Sequence, residues 1–293
     1  MLNRILKIAA AALAALLLAS CGAGERHGVS LALTDSPIDI ASGVNISFSE
    51  VELNGPDMPV PTIVDVTPAV SIDLFQLQGG LSQLVASAIQ AQPGHYTSLT
   101  LTIVADPNSG QSSIDLPDGV HILYIPPGVS PRVQIPVDFD YSKGEDVDLT
   151  ADFDLRKSIV PDPNDPTKYL LIPSVRAVIN QDSGSISGEV ATSLVVCQDP
   201  AVYVYQGDVK PNDVDIADTS PDRVQPFSTA LVGLNVTSGR YDFTVGFLPP
   251  GEYTVAFTCE AQLDVANQDN AIVFSAVTHA SVTALGTAFV NLD

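Results

Sequence analysis

Short apolar runs, alternating with polar residues and repeatedly cut by proline or glycine, are the feature that most restricts how this chain can fold. With 22 Pro and 20 Gly in 293 residues, few stretches run long enough for an ordinary helix, whereas a strand needs only about four to eight residues. The runs are rich in Val, Ile, Thr and Tyr, which suit a pleated, half-buried surface. Val133–Tyr141 and Val147–Leu155 show the pattern most plainly, with apolar and polar side chains taking turns along each. A composition of 45% apolar and 16% charged residues is too apolar for a disordered chain. The expectation is an all-β protein of two β-sandwich-type domains, with one short helix in the first.

Strand-like runs before residue 180 are Val29–Thr34, Val44–Leu53, Ile63–Val66, Ser71–Leu77, Tyr96–Val104, Val120–Ile125, Val133–Tyr141, Val147–Leu155 and Tyr169–Ile179. Beyond it lie Ile186–Leu194, Val202–Tyr205, Ala230–Val236, Tyr241–Phe247, Tyr253–Thr258, Ala271–Val277 and Thr287–Leu292, a set that suits a small sandwich. Leu81, Leu84, Val85, Ala88 and Ile89 recur at helical spacing, so Leu81–Gln92 is predicted as an amphipathic helix stopped by Pro93-Gly94. The polar, glycine-bearing stretch Asn180–Gly188 reads as a boundary. It divides a domain at 28–182 from one at 183–293, after a leader at 1–20 and a tether at 21–27. Gln206–Pro226 is a polar insertion carrying Asp208, Asp213, Asp215, Asp218 and Asp222, long enough to be either functional or mobile. One motif occurs in both domains, Pro93-Gly94-His95-Tyr96-Thr97 and Pro250-Gly251-Glu252-Tyr253-Thr254. Pro-Gly fits the centre of a type II turn, so the motif is read as a structural corner.

The formal charge of −22 disfavours nucleic acid and anionic lipid surfaces, since phosphate binding depends on clustered Lys and Arg. No nucleophile elbow, phosphate loop, zinc-protease helix or dinucleotide fingerprint occurs in the sequence. His27, His95, His121 and His279 are scattered and read as surface or turn residues. The chain is therefore read as non-catalytic.

The sharpest constellation is Asp138–Asp154. Val137, Phe139, Tyr141, Val147, Leu149, Ala151, Phe153 and Leu155 make one apolar face, leaving Asp138, Asp140, Asp146, Asp148, Asp152 and Asp154 on the other. A hairpin closed by a three-residue loop, Ser142-Lys143-Gly144, would set Asp140 beside Asp146 and Asp138 beside Asp148. Like charges so placed repel. Calcium, a hard cation that collects carboxylate oxygens, would offset them, with Asp138, Asp140, Asp146 and Asp148 as ligands. The alternative is a solvated acidic face relieved by Lys143, Arg156 and Arg176, favoured by the absence of EF-hand spacing.

Leu18-Ala19-Ser20-Cys21, behind Arg4, Lys7 and the apolar run from Ile8 to Leu18, resembles the lipobox of bacterial lipoproteins. The resemblance implies cleavage before Cys21, acylation of its thiol and, with Gly22 following, a bilayer anchor in the outer membrane. The chain beyond the leader carries 10 basic and 34 acidic residues, because Arg4 and Lys7 are lost from the 12, giving 10 − 34 = −24. With Cys21 assigned to lipid, Cys197 and Cys259 remain as a disulfide pair for an oxidising compartment.

Two further resemblances cover most of the rest. Leu33-Thr34-Asp35-Ser36-Pro37-Ile38-Asp39, Ile72-Asp73-Leu74-Phe75-Gln76-Leu77, Pro93-Gly94-His95-Tyr96 and Asp152-Phe153-Asp154-Leu155 through Ser158 together resemble an uncharacterised domain family of bacterial envelope lipoproteins, over about residues 28–180. Ser185–Val190 and Phe247–Val255 resemble the carboxypeptidase-regulatory-like, prealbumin-like sandwich, over about residues 184–293. Such sandwiches are non-catalytic accessories grouped with carbohydrate-binding-like folds. The resemblances imply an extracytoplasmic, lipid-anchored binding module, with carbohydrate as the leading ligand class. An envelope scaffold whose partner is another protein is the second reading. The third is a hydrolase, built on a carboxylate pair whose spacing a sequence does not display.

Overall fold

The computed structural model describes residues 27–293 apart from Asp57 and Pro59. The leader and Cys21 lie outside the described residues. The strands of the first half are β1 Val29–Ser36, β2 Gly43–Asn54, β3 Thr62–Asp73, β4 Gln83–Ile89, β5 Gly94–Val104, β6 Ser113–Leu116, β7 Gly119–Tyr124, β8 Arg132–Tyr141, β9 Val147–Asp154, β10 Ile159–Pro161, β11 Lys168–Leu171 and β12 Val175–Ile179. One sheet runs β12-β9-β1-β4, the other β10-β11-β7-β6-β2-β5-β8 with β3 paired to β2. Their inner faces share a core that includes Leu31, Leu33, Leu99, Leu101, Ile135 and Leu149, with Phe48 and Phe153 edge to face at 6.4 Å between centroids.

The second half holds β13 Gly184–Val190, β14 Ala201–Gln206, β15 Ser228–Leu231, β16 Gly233–Asn235, β17 Arg240–Leu248, β18 Gly251–Thr258, β19 Phe274–Val282 and β20 Thr287–Leu292. They form sheets β16-β17-β13-β20 and β15-β14-β18-β19 around Ile186, Val202, Val204, Phe243, Val255 and Phe257. No sheet takes strands from both sides of Asn180–Ser183. The protein is all-β and sandwich-type, as its alternating runs indicate.

The expected helix at Leu81–Gln92 is instead the edge strand β4, antiparallel to β1, with Leu84 opposite Ala32 and Ile89 opposite Val29. Two register shifts, and Ala88 at a φ of +48°, let Ala86 and Ile89 both turn inward although they are three residues apart. An irregular edge strand therefore carries apolar residues at helical spacing, while Leu81 and Leu84 stay exposed. The single α-helix among the described residues is one turn, α1 Leu155–Ser158, where the Asp154 side chain accepts from the Lys157 amide at 3.0 Å.

The expected acidic hairpin does not form. β8 pairs with β5, whereas β9 pairs with β1 and β12, so the two strands belong to different sheets. Asp140 is thus not the cross-strand neighbour of Asp146, nor Asp138 that of Asp148. Alternation shows that each strand has one buried face, but it does not say which strand shares its hydrogen bonds.

Both Pro-Gly motifs are corners. The Tyr96 hydroxyl donates to the Gln92 carbonyl at 2.8 Å and the Tyr253 hydroxyl to the Pro249 carbonyl at 2.7 Å, each reaching four residues back from a fully buried ring. These are tyrosine corners. Gly94 and Gly251 have φ of +152° and +156°, well beyond the roughly +80° of a type II turn. Cys197 and Cys259 form the expected disulfide, with a Cα–Cα distance of 5.6 Å and a sequence separation of 62. Closing such a loop contributes about 4 kcal/mol in the chain-entropy description.

Gln206–Pro226 is packed. Asp213 is fully buried, paired with Arg223 and accepting from the Asn270 amide. Val214 joins Tyr203 and Tyr205 in a third apolar cluster, to which the first half contributes Val160. β14 is consequently buried on both faces, Val202 and Val204 toward the sandwich and the two tyrosines toward this cluster.

Candidate functional site

β1 and β9 lie side by side and parallel, with Thr34 opposite Asp152 and Ser36 opposite Asp154. Their C-terminal ends therefore emerge together, carrying Asp35–Asp39 on one and Asp152–Ser158 on the other. Those two segments do not face solvent. They face the second half, and their charged side chains are almost all buried.

Arg156 anchors this junction. Its guanidinium meets Asp39 at 2.5 Å with both side chains 1% exposed, donates to the Ala261 carbonyl at 3.1 Å and lies 5.1 Å from the centroid of the Tyr203 ring. Burial works against its charge, but Tyr203, Asp39 and Asp264 more than offset that and hold it protonated. Lys157 bridges Asp154 at 2.8 Å and donates to the Pro226 carbonyl at 2.5 Å. Arg176 pairs with Asp152, donates to the Phe247 carbonyl at 2.6 Å and stacks 4.4 Å from the Phe227 ring centroid. Hydroxyls complete the seam: Ser36 and Ser228 share a hydrogen bond of 2.7 Å, and Thr229 donates to the Pro37 carbonyl at 3.3 Å.

Beside this seam opens a cleft of about 470 Å³, walled by Asp152, Asp154, Lys157 and Arg176 from the first half and by Gln206 and Phe227 from the second. Its charges are already matched. Asp152 receives Arg176 and Ser36, and Asp154 receives both the Lys157 ammonium and the Lys157 amide. Burial still pushes the Asp152 carboxyl above its usual range, with Arg176 opposing the shift and Asp154 adding to it. Asp35, one residue before Ser36, is buried with neither carboxylate oxygen hydrogen-bonded. Its carboxyl is pushed well up, first by burial and then by Asp152 and Asp154; the nearby Leu155 N–H lowers it only in part.

The residues marked as calcium ligands do not assemble. Asp140 lies 3.1 Å from His95 Nδ1 and Asp138 3.6 Å from His95 Nε2, on a different sheet from β9. Asp146 pairs with His27 at 3.0 Å, and its carboxyl is lowered chiefly by that bond. Among the described residues no three His, Cys, Asp or Glu side chains come together as a metal site. Of the cations expected to relieve a solvated acidic face, Arg156 and Arg176 are instead buried wholly or in part at the junction. The sequence marked the segment containing Asp35 and Asp39 only as a point of family likeness, and Arg156 also as a cation for a solvated acidic face. The available signal was the Arg156-Lys157 pair one residue after Asp152-Phe153-Asp154, in a chain with only 12 basic residues.

Residues 28–173 match the family described as a domain of unknown function (DUF4382), within the stretch of about 28–180 that resembles an uncharacterised domain family. No curated protein matches the chain. Among solved structures, a Pseudomonas aeruginosa protein provisionally described as carbohydrate-binding is 16% identical over 39% of this chain and 89% of its own, with a TM-score of 0.22. The minor pilin of Streptococcus agalactiae is 9% identical over 90% of this chain and 94% of its own, with a TM-score of 0.20. A Bacteroides ovatus protein provisionally described as an adhesin is 9% identical over 90% and 92%, also at 0.20. Similarity at that level carries no weight for function.

Proposed function

We propose that this chain is a non-catalytic binding module of the bacterial envelope that seats an uncharged, polyhydroxylated ligand, a segment of polysaccharide, in the cleft between its halves. The observation that carries the reading is the internal neutralisation of the cleft. Arg176 with Asp152 and Lys157 with Asp154 leave a wall dense in hydrogen-bonding atoms but without a spare charge for an ionic ligand. The half-buried Phe227, with Arg176 stacked over its ring, adds apolar surface to the cleft wall. The same pairing argues against hydrolysis. A general acid or base needs a carboxylate able to exchange its proton with substrate, and both cleft carboxylates are occupied by cations and amides.

Anchoring at the outer membrane through an acylated Cys21 belongs to the same proposal, supported by the lipobox-like leader and by a disulfide suited to an oxidising compartment. So does a division into domains at 28–182 and 183–293, supported by the partition of the sheets.

Residues 22–293, produced in the periplasm, are to be tested on an array of envelope and environmental polysaccharides. Saturable binding to one glycan class, weakened at least tenfold by Q206A, which alters an exposed cleft residue, is the expected result. A blank array overturns the carbohydrate reading and favours a scaffold whose partner is an envelope protein, to be sought by pull-down with the full lipoprotein.

A further inference from the structure

β14 and β15 are antiparallel neighbours, with Val204 opposite Ser228, so a hairpin turn of about two to five residues would join them. Gln206–Pro226 lies between them instead, and it is held firmly. Its two arms are tied together where the Asp215 amide donates to Gln225 Oε1 at 3.2 Å and Gln225 Nε2 donates to the Asp215 carbonyl at 2.6 Å. The Val209 amide donates to the Thr254 hydroxyl at 3.1 Å and the Asn212 amide to the Tyr205 hydroxyl at 3.2 Å, while Asp213 and Arg223 pair beneath. A buried ion pair adds little stability over apolar packing. What it does here is fix the position of a long polar segment that the hairpin itself does not need.

Val224, on that segment, borders two hollows. One is the cleft of about 470 Å³ at the junction. The other, of about 420 Å³, lies over the insertion, with Lys210 and Asn212 on one arm and Asp218, Asp222 and Arg223 on the other. The consecutive residues Val209 and Lys210 line one each, so the hollows adjoin, and neither is enclosed. They differ in what is left to bind. In the first every charge is matched; in the second Arg223 is matched by Asp213 and Asp269 and Asp218 accepts from the Ser220 amide at 2.9 Å. The side chains of Lys210, Asn212 and Asp222 have no hydrogen-bond or ion-pair partner among the described residues.

We infer, building on the carbohydrate reading of the cleft, that the glycan chain continues past Val224 into this second hollow, where Lys210, Asn212 and Asp222 bind its further hydroxyls. The protein then recognises an internal stretch of an extended neutral polysaccharide, not a single sugar or a chain end. An ammonium, an amide and a carboxylate offer donors and acceptors together, as a polyhydroxylated chain requires, and hydrogen bonds to the charged pair are the stronger kind. One free lysine among Asp218 and Asp222 gives no net attraction for an anion, and no three acidic or histidine side chains meet as a metal site. The pinned backbone presents these groups without an ordering cost on binding.

The test uses the full chain, purified in a sugar-free detergent and titrated calorimetrically with cello-, malto-, xylo- and manno-oligosaccharides, each from disaccharide to octasaccharide. In one ladder, affinity is expected to rise by about tenfold or more from disaccharide to hexasaccharide as the second hollow fills. K210A and D222A alter exposed side chains and should keep the Tm of the unaltered chain. Each is expected to cut the ratio of hexasaccharide to disaccharide affinity, and the double variant to bring it near unity. Q206A, in the first hollow, should weaken all lengths alike. Affinity that does not rise with length overturns the inference and leaves the cleft as a single site. A rise that persists in K210A/D222A overturns it too, by sending the chain out along another path. Failure of all four ladders removes the neutral-glycan reading of the cleft, and the extension with it.

Discussion

Asp138-Phe139-Asp140 and Asp152-Phe153-Asp154 are the same three residues in the same strand alternation, yet they have opposite fates. Both phenylalanines are buried in the core of the first half. The aspartates of the first triplet are 86% and 87% exposed, on either side of His95. Those of the second are 3% and 11% exposed, lodged under the second half and paired with Arg176 and Lys157. What separates them is the surface each outer face meets, water for β8 and another sandwich for β9. A polar face on a strand therefore says that the side chains need hydration or partners, not which of the two they receive.

The largest effect that would sharpen this contrast is expected at Arg156, just beyond the second triplet. R156A strands Asp39 in a site where both side chains are 1% exposed, and should cost about 3–5 kcal/mol of stability in urea denaturation. The double variant R156M/D39L removes both charges and should recover most of that loss; if it does not, the pair holds the junction by more than mutual neutralisation. R176A, which leaves Asp152 buried without its cation, is expected to cost about 3 kcal/mol by the same argument.

A pH experiment probes the second triplet from its protons. Asp35 and Asp152 both have carboxyls raised above the ordinary value of 3.8, chiefly by burial. A group whose pKa is raised on folding contributes stability that is fully present below the unfolded pKa and is lost as pH rises through the folded one. The stability difference between D35N and the unaltered chain should therefore grow in favour of D35N as pH rises from 4, by about 1.4 kcal/mol per pH unit within that window. A difference independent of pH would mean that Asp35 is not buried as described. The smallest effect is expected at the first triplet, where D138N and D140N should each change the urea midpoint by no more than about 0.5 kcal/mol in equivalent stability. A larger loss would break the comparison by giving the His95 cluster a structural role.

Parts of this architecture were legible and parts were not, for reasons particular residues show. The runs at Val44–Leu53, Tyr96–Val104 and Val133–Tyr141 are strands close to their expected bounds, because each is rich in alternating apolar residues and ends at Pro, Gly or a polar cluster, although the first two change phase once at a register shift. Leu81–Gln92 misled because register shifts in β4 brought residues three apart to one face, which imitates a helix. Ile63–Val66 and Ser71–Leu77 merge into one strand up to Asp73, followed by a 3-10 turn over Leu74–Gln76; β2 pairs with β3 on both sides of Pro68, and a register shift between Phe48 and Glu50 takes up the interruption. Of the site, the segments were visible and their meeting was not. Asp35 and Asp152 are more than a hundred residues apart, and only the parallel pairing of β1 with β9 makes them neighbours.

By itself the sequence determined that this protein is all-β, that its two Pro-Gly-x-Tyr segments are corners and that Cys197 and Cys259 pair. The corners follow from chemistry within a few residues of each Tyr; the class follows from alternation, and the disulfide from there being two cysteines left to join. Tertiary structure alone decided which sheet each strand joined, which acidic face stayed in water and which carboxylate was left without a partner. Those outcomes depend on long-range pairing and on the docking of one half against the other, where the cost of burying a charge is set by neighbours that a local stretch of sequence does not contain.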